Sequence, residues 1–495
     1  MTSVPNRPLP LSGNSAARLC LLLVLLSVFT ACDLFKKAPR DDGKVYDDSG
    51  ELEEIKGKVV YNPQTGEYET VYEPRGDMDT VRLAEIPTDR VPPIRSDIDP
   101  DDLPTPDLED LQPVPGVKKE RYQIAMVLPF LSNQFNGASL PNNSDWAVGF
   151  YAGAQLALDQ LEAEGVKATV VTADTEAQAG TLRGLLTQPV FANADLIIGP
   201  YLSNNVKVAA DAVRGKQQVL VSPYSANLGL SANNPNYVQV NPSLIVHINA
   251  QLNHARATHR AEQIQLVGAP GGDAARLFPY YQAANAAFDG GNAEAPLGVL
   301  EIGPDERTGW DEINLIDALD SLSTNVLILP EYRDQRYVYN FLRKLKIASR
   351  NPLRPRDVIV YGMPQWQEFN RVEYDLYEDL NVHISSSHYV DRDRQAVRAF
   401  RTAYYDRFGI APPESAYLGY DTALYFGRLL KKYGTGFPGQ LEREADDLLH
   451  TRYDFERVLP AGATTAEGPA APVQQWENKF VHILAFRGYQ FQPAR

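Results

Sequence analysis

From Tyr122 onward, short apolar runs alternate with longer amphipathic ones. YQIAMVLPF is continuously apolar and predicts a buried strand. WAVGFYAGAQLALDQLEAEG repeats its apolar positions at helical spacing and stops at Gly165. KATVVTAD then reads as a strand and TEAQAGTLRGLLT as a helix. ADLIIGP follows as a strand, SNNVKVAADAVRG as a helix and QQVLVSP as a strand. After a connecting region, YVQVNPSLIVHINAQLNHA, the alternation starts again at QIQLVGA. It continues through DAARLFPYYQAANAAF, a strand APLGVLEI, a helix through Leu315, NVLILPE, a helix containing YVYNFLRKLKIA, VIVYGMP and NVHISSSHY. Strands alternating with helices over short links predict parallel sheets covered on both faces. Two such units stand in series, one beginning near Tyr122 and one near Gln263.

The tail breaks the alternation. AVRAFRTAYYDRFG and SAYLGYDTALYFGRLLKKYG are consecutive helices with no strand between them, and LEREADDLLH reads as a third, shorter one. KFVHILAFRGYQF alternates and predicts a closing strand pair that turns at Arg487-Gly488. Helices returning after the second α/β unit imply that the chain crosses back to the first.

The segment ahead of Tyr122 is of another kind. LCLLLVLLSVFTAC, ending at Cys32, is too short for a comfortable membrane span and suits the core of a secretory signal. Phe29-Thr30-Ala31-Cys32 resembles a bacterial lipobox, whose cysteine becomes the lipidated first residue; Phe29 stands where the pattern prefers Leu. Cys20 is the other cysteine and lies inside that leader. The mature chain therefore offers no disulfide pair, zinc cluster or internal cysteine nucleophile. DDGKVYDDSGELEEIKG and TDRVPPIRSDIDPDDLPTPDLEDLQPVPG are acidic, Pro-rich and poor in bulky apolar residues, which predicts a tether. Between them KVVYNPQTGEYETVY alternates around a Pro-Gln-Thr-Gly turn and predicts a small hairpin.

The series VGFYAGAQLALDQLEAEG, TVVTAD, ADLIIGPYLSNNV and VLVSPYSANLGL, with the later SAYLGYDTALYFGRLLKKYG, resembles the type I periplasmic-binding fold. Branched-chain amino-acid-binding proteins and receptor ligand domains share that fold. The nearest resemblance is to a lipoprotein branch common in Bacteroidetes-type bacteria. A second relative is the lipoprotein regulator of peptidoglycan synthases. The resemblance implies two α/β lobes, each a parallel sheet with helices on both faces, joined by hinge crossovers that close on a ligand. The expected division is a lipoprotein signal over 1–31, a tether over 32–120, lobe 1 over 121–244 and lobe 2 over 245–388. A return to lobe 1 over 389–453 and a terminal segment in lobe 2 over 454–495 complete it.

In open parallel sheets ligands sit beyond the carboxyl ends of the strands, where helix N-termini present free N–H groups. The candidate cleft residues are accordingly Ser203, Ser222, Tyr224, Ser225, Ala226, Glu331, Tyr332, Gln365 and Trp366, with Phe130 and Tyr201 as further aromatics. Ser203 either caps its helix or meets the ligand. Three departures from the amino-acid-binding relatives stand out. Ala226 occupies the place of their threonine. The segment GAPGGD, residues 268–273, has no aromatic where they carry a tyrosine. Gln365 and Trp366 stand where they place the acid that meets the α-ammonium. Glu331 is the alternative countercharge, or a solvated loop residue. The resemblance therefore carries the fold over, but not a simple α-amino acid as ligand.

Net charge is −16, with no large basic cluster, which excludes nucleic acid as an expected partner. No G-x-S-x-G elbow, H-E-x-x-H motif or phosphate-binding P-loop is present, and no cofactor or metal is expected. His247, His254 and His259 are read as surface residues. The expectation is a non-enzyme: a lipid-anchored, extracytoplasmic solute-binding or sensing protein. Its partners are a small-molecule ligand (an amino-acid derivative, peptide, sugar or cell-wall fragment) or an envelope protein. The alternative is an envelope scaffold or regulator of peptidoglycan synthesis that uses the same fold for protein contacts. Inner membrane, outer membrane and cell surface all stay open.

Overall fold

The computed structural model describes residues 116–137, 141, 144–231, 233–288, 295–304, 309–352, 355–370, 372–459 and 473–494, with four short strands between residues 45 and 71. The expected signal, Cys32 and most of the tether lie outside the described residues. Within the N-terminal unit, Lys58–Asn62 pairs antiparallel with Glu67–Val71 at the expected hairpin, and Val45–Tyr46 pairs with Leu52–Glu53.

The second unit holds two seven-stranded sheets. In the first half of the chain the order is β1 (Tyr122–Leu128), α1 (Asp145–Ala163), β2 (Ala168–Asp174), α2 (Ala179–Thr187), β3 (Leu196–Ile198), α3 (Ser203–Val213), β4 (Val219–Ser222) and β5 (Tyr237–Gln239). The second half begins with α4 (Leu244–Arg256), β6 (Ile264–Gly268), α5 (Phe278–Phe288), β7 (Gly298–Glu301) and β8 (Asn325–Ile328). It continues with α6 (Gln335–Ser349), β9 (Val358–Gly362), α7 (Tyr374–Asp379) and β10 (Val382–Ser386). The tail supplies α8 (Gln395–Phe408), α9 (Glu414–Tyr433), β11 (Phe455–Val458), β12 (Gln475–Asn478), β13 (His482–Arg487) and β14 (Gln490–Pro493).

The lobe 1 sheet runs β11-β12-β5-β4-β3-β1-β2 and the lobe 2 sheet β7-β6-β8-β9-β10-β13-β14. In each, the five strands of the α/β unit run parallel in the doubly wound order, reversing at its first strand, and in lobe 1 β12 adds a sixth parallel strand beside β5. Alternation along β1 shows why such strands read as continuously apolar. Ile124, Met126 and Leu128 face one core, while Ala125 and Val127 face another on the opposite side. In lobe 2, Val326 and Ile328 enter one core and Leu327 the other. On α6, the Asp334 side chain accepts the N–H groups of Arg336 and Tyr337 and caps the helix. The buried stripe Tyr337, Val338, Phe341, Leu342 and Leu345 then docks it.

Three expectations are corrected. The region taken as a connection supplies β5 and α4, because buried Tyr237 and Val238 complete the lobe 1 sheet. The helix expected through Leu315 is reduced, among the described residues, to a single 3₁₀ turn at Ile316–Ala318. The third tail helix is a 3₁₀ stretch over Gly434–Arg443, after which Asp446–Asp447 pairs with Arg452–Tyr453. The terminal segment also divides differently. Residues 455–458 and 475–478 remain in lobe 1, where Trp476 pairs with Val238 and its indole N–H donates to Pro235 O at 2.8 Å. The return to lobe 2 comes only after residue 478.

The lobes are thus joined by three crossovers, at residues 240–243, 387–394 and 479–481. Glu477, 1 % exposed, ties the first to the third: its Oε1 accepts the Ser243 N–H at 2.8 Å, and its other oxygen pairs with the Lys479 ammonium. The second crossover is held separately, by the Tyr389 N–H donating to His450 O at 2.6 Å and by Arg394 donating to Leu448 O at 2.6 Å. Among the described residues, no helix is long and apolar enough to cross a membrane.

Candidate binding cleft

A cleft of about 810 Å³ lies between the lobes beside the crossovers. Lobe 1 contributes the first turn of α1, with Asp145 and Trp146, and the loop after β4, with Pro223, Tyr224 and Ala226. Lobe 2 contributes the loops after β9 and β10. These are the carboxyl ends of the strands, where helices begin and side chains are free of the sheet.

The lobe 1 wall is aromatic. Tyr224 stacks on Tyr201 with ring centroids 3.8 Å apart and planes 19° apart, and Trp146 meets both rings edge-on at 4.6 and 5.5 Å. Phe150 backs Trp146 at 5.0 Å. The stack holds Tyr224 in place while it stays 41 % exposed, and Asn241 Nδ2 donates to its backbone carbonyl at 2.7 Å. The lobe 2 wall is polar, built from Gln365, Gln367, Glu368, Ser386 and Ser387, with Gln367 Nε2 donating to Ser386 Oγ at 3.2 Å. At the edge of the cleft His388 Nε2 lies 3.0 Å from Glu414 Oε1.

The tail supplies the floor. Asp421 on α9, 1 % exposed, accepts the N–H groups of Leu449 at 3.1 Å and His450 at 3.0 Å. Its Oδ2 is also 2.5 Å from His450 Nδ1, which fixes the proton on that nitrogen and orients the imidazole. Next to it, Thr451 also lines the cleft, while its Oγ1 is itself buried and has no hydrogen-bond partner among the described residues.

The sequence-predicted residues separate into two groups. Tyr224, Ala226 and Gln365 line the cleft. Trp366 does not: it is fully buried in lobe 2, its indole N–H donating to Glu331 O at 2.7 Å. Gly362 makes that possible, because a Cβ there would lie 2.3 Å from the Trp366 ring. The 3₁₀ turn Pro364–Glu368 therefore aims Trp366 inward and its neighbours Gln365 and Gln367 at the cleft. Glu331 is committed to its own loop, accepting the N–H groups of Arg333 at 2.8 Å and Asp334 at 3.0 Å, and Tyr332 packs on the lobe 2 core under Arg333. Ser222 is buried at the end of β4. Ser203 and Ser225 satisfy each other at 3.1 Å. Ser203 is also the first helical residue of α3 rather than its cap, which is Leu202 with no side-chain hydrogen bond. Phe130 packs edge-on against Tyr151 at 5.8 Å.

The histidines are corrected too. His247 and His254 do share a face of α4, but that face points inward. His247 is 8 % exposed with Nδ1 2.9 Å from Ser385 Oγ, and His254 Nδ1 lies 2.7 Å from the Tyr361 hydroxyl. No group of metal-binding residues exists among the described residues. The sequence reading missed Trp146, His450 and Thr451. Trp146 carried a usable signal, since it opens the helix that follows β1. His450 and Thr451 carried none, because they reach the cleft only through the return of the tail.

No protein-family profile matches this chain, and no curated protein matches it. Among solved structures, a putative branched-chain amino acid ABC transporter protein from Rhodospirillum rubrum superposes with a TM-score of 0.53 at 15 % identity, over 76 % of this chain and 100 % of that one. The chain has the type I periplasmic-binding fold. Lower-scoring similarities are an ABC transporter substrate-binding protein from Desulfitobacterium hafniense and full-length LpoA from Haemophilus influenzae. The first has a TM-score of 0.49 at 15 % identity, over 76 % of this chain and 100 % of that one. The second has a TM-score of 0.48 at 13 % identity, over 77 % of this chain and 60 % of that one. The cleft of this chain has an aromatic wall, an amide and hydroxyl wall, and no lysine or arginine among the described lining residues.

Proposed function

We propose that this protein is an extracytoplasmic binding or sensing protein that closes its two lobes on a small molecule and performs no chemistry on it. The observation that carries the reading is the wall of Trp146 and Tyr224, packed on Tyr201, facing Gln365, Gln367 and Ser386 across the inter-lobe cleft. Aromatic faces with a few amides and hydroxyls suit a sugar, a peptide or a cell-wall fragment. Closure follows if the ligand touches both walls, since only contacts that differ between open and closed states shift their balance. A simple α-amino acid is disfavoured. Ala226 offers no hydroxyl, the Ser203 and Ser225 hydroxyls engage each other, and Glu331 is occupied by its own loop.

Thermal shift tests this reading. Short glycans, peptides and muropeptides are compared with free amino acids. A member of the first group at about 100 times its dissociation constant is expected to stabilise the protein by about 2.7 kcal/mol. Tyr224→Ala is expected to reduce that response, and free leucine to give none. Absence of any response, with an envelope protein recovered instead, would favour the scaffold reading. Anchoring is proposed through Cys32, with two or three acyl chains giving stable membrane attachment. Cys32→Ser is expected to move the protein from the membrane to the soluble fraction and to abolish incorporation of labelled palmitate. Labelled lipid on the variant would overturn the anchor.

A further inference from the structure

A second cleft, of about 340 Å³, shares Gln367, His388 and Glu414 with the first, so the His388–Glu414 pair stands between them. Its lobe 1 side carries Arg392, from the end of the second crossover, Arg401 on α8 and Tyr417 on α9. Its lobe 2 side is apolar, formed by Leu484 and Phe491 on the terminal strand pair.

The two arginines are set apart by sharing one recess. In a chain of net charge −16, carboxylates outnumber cations, and several arginines are ion-paired. Arg428 pairs with Glu164, Arg457 with Glu442 and Arg407 with Asp159. Arg392 and Arg401 make no ion pair among the described residues, although both line one recess. Both charges also act on the Tyr417 phenol. Burial raises its pKa, and the fields of Arg401 and Arg392 work in the opposite direction. Tyr417 is 6 % exposed and still lines the cleft. The one carboxylate of this lining, Glu414, is paired with His388, so the two guanidiniums beside the phenol form a field that an anion would relieve. Guanidinium forks match the oxygens of carboxylate and phosphate in pairs.

We propose that this second cleft is an anion site, in which Arg392, Arg401 and Tyr417 hold a phosphate or carboxylate group. It differs from the main cleft, which has no lysine or arginine in its described lining and carries Asp145 and Glu368 besides the shared Glu414. The site sits where the second crossover joins α8, so its occupant contacts both lobes. The inference does not depend on what the main cleft binds.

The test uses the full chain, with inorganic phosphate and succinate as probes at ionic strength held constant with sodium chloride. One probe is expected to raise the melting temperature, and calorimetry to give a saturable isotherm. Arg401→Gln is expected to weaken that probe by about tenfold or more, and Arg392→Gln/Arg401→Gln to abolish it. The surface control Arg183→Gln/Lys216→Gln removes the same charge elsewhere and should leave binding unchanged. A response to phosphate alone assigns a phosphate ligand, and a response to succinate alone assigns a carboxylate. Tyr224→Ala should leave the response intact, which separates this site from the main cleft. No response to either probe would overturn the proposal. So would a response that survives the double variant, or one that the surface control abolishes equally.

Discussion

Gly419→Ala is expected to destabilise the protein by about 3 kcal/mol or more, and Gly153→Ala by a similar amount. The helices α1 and α9 cross in lobe 1 with their backbones in near contact. A Cβ on Gly419 would lie 1.9 Å from the Phe150 carbonyl oxygen, and one on Gly153 would lie 1.8 Å from that of Ala416. Both obstacles are main-chain atoms inside helices, so no rotamer change relieves them; the helices must separate. Separation has a reach beyond packing. Trp146 and Phe150 ride on α1, and Asp421, which orients His450, rides on α9. The same substitution should therefore weaken ligand binding as well as stability. Gly180→Ala is the control. A Cβ there meets nothing within 4 Å, and the change should be neutral or stabilising by up to about 1 kcal/mol. Urea unfolding of the three variants checks the set. A loss below about 1 kcal/mol for Gly419→Ala would remove the close-approach argument.

Stability should also fall steeply as pH drops from about 6.5 towards 4. Burial pushes His247, His383 and His482 down to about 4. For His247 the nearby His388 adds to burial, and for His482 the nearby His450 does. For His383 a hydrogen bond to the Asn381 carbonyl opposes burial in part. An unfolded histidine titrates near about 6.5. Above that pH neither state is protonated and these groups have no effect on stability. Between about 6.5 and 4 the unfolded chain binds protons that the folded chain refuses. Each histidine then lowers stability by up to about 1.4 kcal/mol per pH unit. Below about 4 the folded state also takes them up and the loss levels off. Replacing His383 by Gln should reduce the slope by up to about 1.4 kcal/mol per pH unit. Chemical denaturation at a series of pH values measures this directly; a flat profile through the window would contradict it. The expected loss is felt between the lobes. His247 lines the main cleft and His482 opens the strand that follows the third crossover.

Much of the fold was legible because its signals are local. Continuously apolar strands such as β1 and β4, helices ending at Gly165 and Gly409, and short links between them specify parallel sheets without reference to distant residues. The tail was legible only as elements. Its strands alternate in the same way whichever sheet receives them, so the pattern could not say that 455–458 and 475–478 stay in lobe 1 while 482–487 and 490–493 cross to lobe 2. The same limit applies to single side chains. Trp366 beside Gln365 looked like a cleft aromatic, and the space opened by Gly362 draws it into the core.

The sequence by itself determined most of the strand and helix alternation, the two α/β units, the net charge of −16, and the missing hydroxyl at Ala226. Each depends on residue type and spacing along a continuous stretch. Tertiary structure decided the site. It stacked Tyr224 on Tyr201 from two different loops, set Trp146 of α1 edge-on to both, and brought Asp421, His450 and Thr451 to the floor from the tail. It also joined two crossovers through Glu477 and left Arg392 and Arg401 facing one recess. Those groupings join residues tens to hundreds of positions apart, and only the packing of one element on another brings them within hydrogen-bonding or stacking distance.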